Sequence, residues 1–234
     1  GLSATLKRAD KLEHVLEWFI SKPAANVQLL LIQPEIHIYN YYEYPNNTMK
    51  YLPNGKINSP ASITSITEIQ TRTTFIIHLI KECYTSNRKM LVLTDRKAHC
   101  DLMYSLLNVN YSVGIYYGGM KQESLKKSND CRIILATYQM ASEGYDNPSL
   151  DTLILASPKG NVEQAVGRIL RRKNTNPALV IDINDCISVF NNWNRKRQSF
   201  YKSKKFNTLV KNENNTKDIN DTIEILNEYS FRDI

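Results

Sequence analysis

The chain has 234 residues, of which 42% are hydrophobic, and it carries a formal net charge of +7 at pH 7. This length and composition predict one large domain, or one domain with appendages, and they exclude a chain too polar to bury a core. The positive charge favours a polyanionic partner such as a nucleic acid, although basic proteins of other kinds exist.

Cysteine spacing and hydropathy exclude several further classes of protein. The four cysteines are widely spaced, no CxxC pair occurs, and the four histidines complete no recognisable metal-ligand set with them. We therefore expect reduced, structural cysteines in an intracellular protein and no metal site. No apolar run approaches the roughly 20 residues that span a membrane, and the N-terminus lacks a signal-peptide pattern. The sequence thus predicts a protein that is neither secreted nor membrane-spanning.

The first sixty residues predict a helix, a strand and an irregular excursion. Apolar residues recur at helical spacing from Lys11 to Ile20. The segment NVQLLLIQ then has the pattern of a buried strand, which EIHIYNYYEY extends by alternation. Residues 45–62 are rich in proline, asparagine and glycine, which predicts a loop or a hairpin inserted into the main fold.

From Thr67 onward, apolar segments of strand length alternate with amphipathic segments of helix length. A helical pattern runs to about Tyr84, and the strand-like runs that follow are MLVLT, YSVGIYY, CRIILA, LDTLILA and ALVIDI. This alternation predicts an α/β fold in which a parallel sheet carries helices on both faces. Ligands of such sheets bind beyond the carboxyl ends of the strands, so the residues that follow each strand are the candidates for a site.

Residues and glycines suited to phosphate or nucleotide binding follow several of these strands. Asp95-Arg96-Lys97 follow MLVLT, Gly118-Gly119 follow YSVGIYY, and Thr137 begins a segment that carries Gly144 and Asp146. Thr94, at the start of a helix, could hold a backbone phosphate with the helix dipole, or Asp95 could simply cap that helix. Gly144 would permit close backbone approach and Asp146 could accept from a ribose hydroxyl or bind an arginine, unless both belong to an ordinary turn.

The segment NVEQAVGRILRRKNTNP predicts a helix with an apolar back and a cationic front. At about 100° per residue, Gln164, Arg168 and Arg171 fall within roughly 60° of one another, opposite the valines, isoleucine and leucine, and Asn161 is the expected N-cap. Two interpretations are open. The arginines could lie in solvent at the negative end of the helix dipole, or they could bind phosphate, for which a planar guanidinium is suited. Gly167 favours the second, because glycine inside a helix often marks the close approach of a ligand or another backbone.

The end of the chain changes in character. WNRKRQSFYKSKKF interleaves the basic residues from Arg195 to Lys205 with aromatic ones. It could be a basic helix that follows a phosphate backbone, or an amphipathic helix whose aromatic residues dock on the domain. The asparagine-rich tail beyond it is expected to be flexible, with a last helix at IEILNEY.

In chain order, five of these segments resemble motifs of the superfamily 2 helicases. Ser-Ala-Thr at residues 3–5, LVLTDR, YYGG, ATYQMASEGYDNPSL and QAVGRILR look like motifs III, IV, IVa, V and VI. The last two at this spacing are the specific part. The chain is similar in particular to the helicases of large cytoplasmic DNA viruses such as poxviruses and African swine fever virus. The resemblance covers roughly residues 1–205, without the insertion at 45–62.

This resemblance implies two RecA-like domains with ATP in the cleft between them and a nucleic-acid strand across both. Residues 1–25 would be the end of the first domain and a linker, 26–207 the second domain and 208–234 a tail. Site roles follow motif by motif. Arg168 and Arg171 would reach the ATP phosphates, one as an arginine finger, with Gln164 beside the γ-phosphate. Gly144 and Asp146 would contact the nucleotide, and Ser3 and Thr5 would couple the two sites. The nucleic-acid backbone would be contacted by Thr94, Arg96, Gly119 and Thr137.

Two hallmarks of a complete motor are missing from the chain. It contains no GxxxxGK[ST] loop and no Asp-Glu dipeptide, so the phosphate cradle and the magnesium-binding carboxylates are not found. We therefore expect the C-terminal motor domain of an ATP-dependent DNA helicase or translocase, inactive alone, with ATP and Mg²⁺ bound mainly by an N-terminal RecA-like domain.

Several alternatives stay open at this point. The partner is expected to be single-stranded or duplex DNA, with RNA as an alternative. The activity could instead be that of a non-unwinding translocase or a strand-annealing motor, or the chain could be an inert nucleic-acid-binding module. For a viral protein the resemblance implies the host cytoplasm and the virion as locations, and transcription, repair and replication are all open as the process served.

Overall fold

The structure is a computed structural model that describes residues 32–142, 147–170 and 174–211, together with Val15 and Trp18, and for residues 141 and 142 it describes the backbone alone. The chain divides into two compact units, residues 1–31 and 32–234, and the fold below is that of the second. Val15 and Trp18 are helical, whereas the rest of the helix predicted near them, most of NVQLLLIQ and the tail with IEILNEY lie outside the described residues.

Strands and helices alternate along the second unit. In chain order they are β1 (Glu35–Tyr41), α1 (Ser59–Thr67), α2 (Gln70–Thr85), β2 (Met90–Thr94), α3 (Lys97–Leu107), β3 (Val113–Tyr116), α4 (Gln122–Asp130), β4 (Ile133–Thr137), α5 (Tyr138–Ser142), β5 (Thr152–Leu155), α6 (Glu163–Ile169), β6 (Leu179–Asp185), α7 (Phe190–Ser203) and β7 (Asn207–Lys211). Each strand-like run that was predicted from MLVLT onward contains a strand.

The strands form one sheet in the order β3-β4-β2-β5-β6-β1-β7, and every pairing among them is parallel. Strands β2, β5 and β6 are buried along their whole length, as expected of central strands that helices cover on both faces. The predicted α/β fold with a parallel sheet is confirmed. All the strands therefore end at one edge, which we call the carboxyl edge.

Two hydrophobic cores occupy the two faces of the sheet. Because side chains alternate along a strand, Leu91 and Leu93 of β2 belong to one core and Met90 and Val92 to the other. Residues of α5, α6 and α7 complete the first core, and residues of α2 and α3 complete the second. The helix with the candidate arginines, α6, is thus packed on a different face from α2.

The region predicted as an insertion contains a small hairpin followed by a helix. Tyr51 and Ile57 form an isolated antiparallel bridge, and between them Gly55 has a φ of +76°, a conformation that glycine adopts without strain. Helix α1 then begins at Ser59, three residues before the predicted end of the excursion at residue 62, because the side chain of Asn58 accepts a hydrogen bond from the backbone N–H of Ala61 at 3.2 Å and caps the helix.

The sheet continues beyond the predicted end of the domain at residue 207. Strand β7 pairs in parallel with β1, and all five of its residues are exposed. Residues 208–211, which the predicted bounds assigned to the tail, therefore belong to this strand. Nearly all of KNENNTKDINDT, the segment expected to be flexible, lies outside the described residues. An exposed edge strand lacks the apolar alternation by which the other strands were recognised.

Candidate functional site

The loops that follow β2, β4 and β5 meet at the carboxyl edge. Thr94 and Thr137 are register partners at the ends of β2 and β4. The backbone N–H of Asp95 donates to the hydroxyl of Ser157 at 2.8 Å, and the hydroxyl of Tyr138 donates to the carbonyl of Ser157 at 3.0 Å. The loops at these three strand ends are therefore joined to one another by hydrogen bonds.

Helix α6 has the orientation that its sequence predicted. Gln164 and Gly167 are exposed and Arg168 is partly buried. The opposite side lies in the core and consists of Val162, Ala165, Val166 and Ile169. The side chain of Asn161 accepts a hydrogen bond from the backbone N–H of Glu163 at 3.2 Å, so it assists the start of the helix although Val162 holds the N-cap position. The polar face of α6 thus points away from the sheet.

Arg96 binds the insertion rather than projecting freely from the edge. Its guanidinium donates to the hydroxyl of Thr64 at 2.8 Å, to the carbonyl of Pro60 and to the carboxylate of Asp95 at 3.0 Å. Arg96 therefore connects α1 to the end of β2. The sequence did not indicate this role, because Thr64 lies on a separate helix 32 residues away.

Thr94 does not offer its hydroxyl to a ligand at this edge. The residue is fully buried, and its hydroxyl lies 2.9 Å from Nδ1 of His99, whose Nε2 lies 3.4 Å from the hydroxyl of Thr73. Burial, together with the positive charge of Arg72, lowers the pKa of His99 to about 3, so the imidazole is neutral. The expected contact between the Thr94 hydroxyl and a phosphate is incompatible with this burial.

Asp95 does not cap the helix that follows it. Helix α3 begins without a side-chain cap, with Arg96 at its N-cap position. The carboxylate of Asp95 lies instead 3.0 Å from Arg96 and 3.4 Å from the ammonium of Lys159, which connects the loops after β2 and β5. The capping interpretation is therefore wrong, because the carboxylate is used to join two neighbouring strand ends.

Two of the expected backbone-contact residues remain at the edge. Thr137 is partly exposed at the end of β4. Gly119, after β3, has a φ of +95°, in the left-handed region that favours glycine. The ammonium of Lys97 donates to the carbonyl of Gly118 at 2.6 Å and holds this turn against α3.

The basic segment predicted near the end of the chain is an amphipathic helix that docks on the domain. Arg195, Lys196 and Lys202 are exposed, but Arg197 is only 1% exposed and lies 2.8 Å from the carboxylate of Asp182. Tyr201 is buried in the core. The docked interpretation holds for this face of α7, and Arg197 is excluded from any contact with a phosphate backbone.

Part of the candidate site lies outside the described residues. This concerns Ser3, Thr5, Gly144, Asp146 and Arg171. Among the residues that the structure describes, no group of three His, Cys, Asp or Glu side chains is arranged to hold a metal ion. All four cysteines are free thiols. No helix in the described ranges has both the length and the apolar character needed to cross a membrane.

Comparison of sequences places these motifs among helicases. Residues 72–173 match the helicase conserved C-terminal domain. Over 221 residues the chain is 35% identical to "Putative ATP-dependent RNA helicase L396" of Acanthamoeba polyphaga mimivirus, an alignment that covers 88% of this chain and 42% of the relative. It is 22% identical over 229 residues to "Putative ATP-dependent RNA helicase QP509L" of African swine fever virus, covering 87% and 45%. The chain therefore spans less than half the length of these relatives.

Solved structures share the architecture. The crystal structure of T4 UvsW superposes with a TM-score of 0.58 and 21% identity, covering 76% of this chain and 40% of that one. Dbp5 of S. cerevisiae bound to RNA and ADP BeF3 superposes with a TM-score of 0.55 and 12% identity, covering 95% and 54%. The isolated C-terminal domain of Dbp5 is covered completely, with a TM-score of 0.52. At these identities the likeness shows the fold, which is RecA-like.

Proposed function

This chain belongs to the superfamily 2 helicases and carries their conserved C-terminal domain, and on that premise we propose that it is the second motor domain of an ATP-dependent helicase or translocase. In this proposal ATP is hydrolysed in a cleft shared with a first RecA-like domain. That domain supplies the phosphate-cradling loop and the Mg²⁺ ligands, neither of which occurs in this sequence.

The orientation of α6 carries this proposal. Its apolar side is buried in the core, and its other side exposes Gln164 and Gly167, with the partly buried Arg168 next to them. The spacing of the sequence predicts the same side for Arg171, which lies outside the described residues. A guanidinium held on such a face can neutralise the charge that develops on a phosphoryl group during transfer, which is the role of an arginine finger. We assign this role to Arg168 or Arg171, with Gln164 beside the γ-phosphate.

The remaining expected residues complete the proposal. Gly144 and Asp146 would contact the nucleotide, and Ser3 and Thr5 would couple hydrolysis to movement along the strand. We retain Gly119 and Thr137 as contacts to the nucleic-acid backbone, since both lie at the carboxyl edge. Thr94 would contribute through its backbone alone, because its hydroxyl is buried.

The nucleic acid is the least determined part of the proposal. The names of the two viral relatives specify RNA, whereas the sequence resemblance led us to expect DNA. Contacts to phosphates do not distinguish the two polymers, whereas a contact to the 2′-hydroxyl would. The viral origin of both relatives supports an intracellular site of action, in the host cytoplasm or the virion.

Substitutions of the two candidate arginines in the full-length protein test the proposal. Arg168→Ala and Arg171→Ala are made separately, and loss of the arginine finger should lower kcat for ATP about 10³- to 10⁵-fold while leaving nucleic-acid affinity nearly unchanged. Lys196→Ala on the exposed face of α7 is the matched comparison, since it removes a cation outside α6. It should leave kcat for ATP normal at saturating nucleic acid and weaken nucleic-acid affinity, the opposite pattern from the arginine variants. DNA and RNA strands of one sequence are compared as activators. If Arg171→Ala hydrolyses ATP normally but no longer binds nucleic acid, this arginine contacts nucleic-acid phosphates and not those of ATP, and the proposal is wrong.

The isolated chain provides a second test. It should hydrolyse ATP no faster than background, because it lacks the phosphate loop and the metal ligands. Measurable turnover by the purified chain that Arg171→Ala abolishes would contradict the dependence on a first RecA-like domain.

A further inference from the structure

The loop between β5 and α6 is held by side chains from three different helices. Arg72 of α2 donates to the carbonyl of Ala156 at 2.8 Å, and Tyr138 of α5 donates to the carbonyl of Ser157 at 3.0 Å. Arg197 of α7 donates to the carbonyl of Lys159. Three of the four carbonyls from 156 to 159 are thereby fixed just before the candidate arginine helix begins. We call residues 156–160 the β5–α6 loop.

The two arginines are themselves immobilised by carboxylates of β6. Arg72 contacts both oxygens of Asp185, at 2.8 and 2.9 Å, in a bidentate pair. Arg197 lies 3.0 Å from Oδ2 and 2.8 Å from Oδ1 of Asp182. All four side chains are at most 1% exposed. Each guanidinium is therefore held in one orientation, in which its Nη1 donates to a carbonyl of the loop. Nη2 of Arg197 also donates to the side-chain oxygens of Asn184 at 2.9 Å and Asn194 at 3.0 Å.

The two pairs lie on opposite faces of the sheet. Asp182 and Asp185 are three residues apart on β6, so their side chains point to opposite sides. This agrees with the positions of their partners, since α2 packs in one core and α7 in the other. The β5–α6 loop is consequently held from both faces at once.

Tyrosine hydroxyls complete both pairs. Tyr44 donates to Asp185 and Tyr201 donates to Asp182, each at 2.9 Å. Burial by itself would lower the pKa of Arg197, but the Asp182 carboxylate outweighs it, and the net pKa of this guanidinium is raised. Arg197 thus remains charged inside the core.

Such an arrangement is poorly explained by stability alone. Burying an ion pair costs desolvation that a well-packed apolar pair of similar volume avoids, so buried pairs are weak contributors to stability. A bidentate guanidinium instead provides hydrogen bonds of fixed direction, because its N–H groups form a rigid fork. Helix α6 has only seven residues and is too short to be stable by itself, so its position depends on how it is anchored.

We propose that Arg72 and Arg197 are positioning residues that fix the β5–α6 loop, and through it set the orientation in which α6 presents Arg168 to the phosphates of ATP. This inference rests on the proposed function of α6. Neither arginine touches the nucleotide, so their effect reaches the reaction only through the arginine helix.

Conservative substitution separates positioning from folding. Arg197→Lys in the full-length protein keeps a cation beside Asp182 but loses the fork that reaches the Lys159 carbonyl. We expect kcat for ATP to fall about tenfold, the cost of a small misplacement of a catalytic group, while KM for ATP and nucleic-acid affinity stay within about twofold. Arg72→Lys should act in the same way from the other face. Unchanged kcat in both variants would overturn the inference.

A destabilised variant serves as the matched control. Met103→Ala removes a fully buried side chain of α3 in the core that does not contain α6. It should lower the melting temperature at least as much as Arg197→Lys and leave kcat normal when measured well below that temperature. If Met103→Ala lowers kcat by the same factor, general destabilisation explains the effect of Arg197→Lys and the inference is wrong.

A double-mutant cycle then asks whether Arg197 acts through α6. Arg197→Lys is introduced into a variant that lacks both Arg168 and Arg171, and single-turnover hydrolysis is followed with enzyme in excess, so that slow rates can be read. The tenfold effect should shrink to less than about twofold, because the group being positioned is absent. A full tenfold effect in that background contradicts the inference. If removal of Arg168 and Arg171 leaves kcat unchanged, the proposed function itself fails.

Discussion

Replacing Gly167 with alanine should raise the stability of the isolated chain. Gly167 is exposed in the interior of α6, and a Cβ added to it would meet no atom within 4 Å among the described residues, the helix's own backbone aside. Alanine is about 0.8–1.0 kcal/mol more favourable than glycine inside a helix. For a domain of this size that corresponds to a rise of about 2–4 °C in the melting temperature, which circular dichroism can measure.

The same substitution should slow the full-length enzyme. The added methyl group lies on the side of α6 that carries Gln164 and Arg168, where we propose that the ATP phosphates and the first RecA-like domain approach. We therefore expect Gly167→Ala to lower kcat for ATP even though the fold is more stable. A variant that melts higher and hydrolyses ATP at the normal rate would refute this close approach, and a lower melting temperature would refute the open space around Gly167.

Gly114→Ala is the matched control for this reasoning. A Cβ on Gly114 of β3 would lie 2.6 Å from the Cα of Ser128 in α4, so the helix would have to move. This overpacking should cost about 1–3 kcal/mol, the opposite sign from Gly167→Ala. Gly114 lies in a strand against α4 and Gly167 in a helix facing open space. Equal effects of the two substitutions on the melting temperature would contradict both expectations.

Three further predictions concern pH, salt and the insertion. Since the pKa of His99 is about 3 when folded and 6.5 when unfolded, protonation of the unfolded chain lowers stability as pH falls below 6.5. About 2 kcal/mol of unfolding free energy should be lost by pH 5, and His99→Gln should abolish this loss when urea denaturation is compared at pH 5 and 7. An equal loss in the wild type and His99→Gln would contradict it. Binding of single-stranded oligonucleotides should weaken with salt regardless of sequence, and Lys196→Ala should flatten that dependence, whereas salt-independent affinity would exclude backbone binding. Arg96→Ala should speed amide hydrogen exchange across α1 about tenfold, because α1 loses its connection to β2; unchanged exchange would show that Arg96 does not hold the insertion.

The features that the sequence predicted well are those with local periodicity. The buried run Met90–Thr94 and the two-sided pattern of α6 are each encoded within a few consecutive residues, and the structure contains both as expected. The order of superfamily 2 motifs extended this local information to the fold, because LVLTDR, YYGG and ATYQM lie at the ends of β2, β3 and β4. Helical spacing alone predicts Gln164 and Arg168 on the side of α6 that faces away from the core.

The features that the sequence missed depend on partners far along the chain. Arg197 looks like one more cation in a basic segment, and only its contact with Asp182 on β6 reveals that it is buried. The hydroxyl of Thr94 looks suited to phosphate, yet His99 on the next helix occupies it. Strand β7 has no apolar alternation, and only its pairing with β1 identifies it as a strand. Charge and composition do not specify such pairings.

The position of β1 within the sheet has a consequence for synthesis on the ribosome. Glu35, at the start of β1, pairs with Leu179 of β6 on one side and with Asn207 of β7 on the other. Both partners are translated long after β1 itself, and none of the strands β2 to β5 pairs with it in the sheet. Contacts of such sequence separation close slowly, and an unpaired strand edge is prone to aggregation in the interval. The completed sheet therefore forms only when almost the whole domain has emerged. A chaperone would be needed in the interval during which β1 is synthesised but β6 and β7 are not.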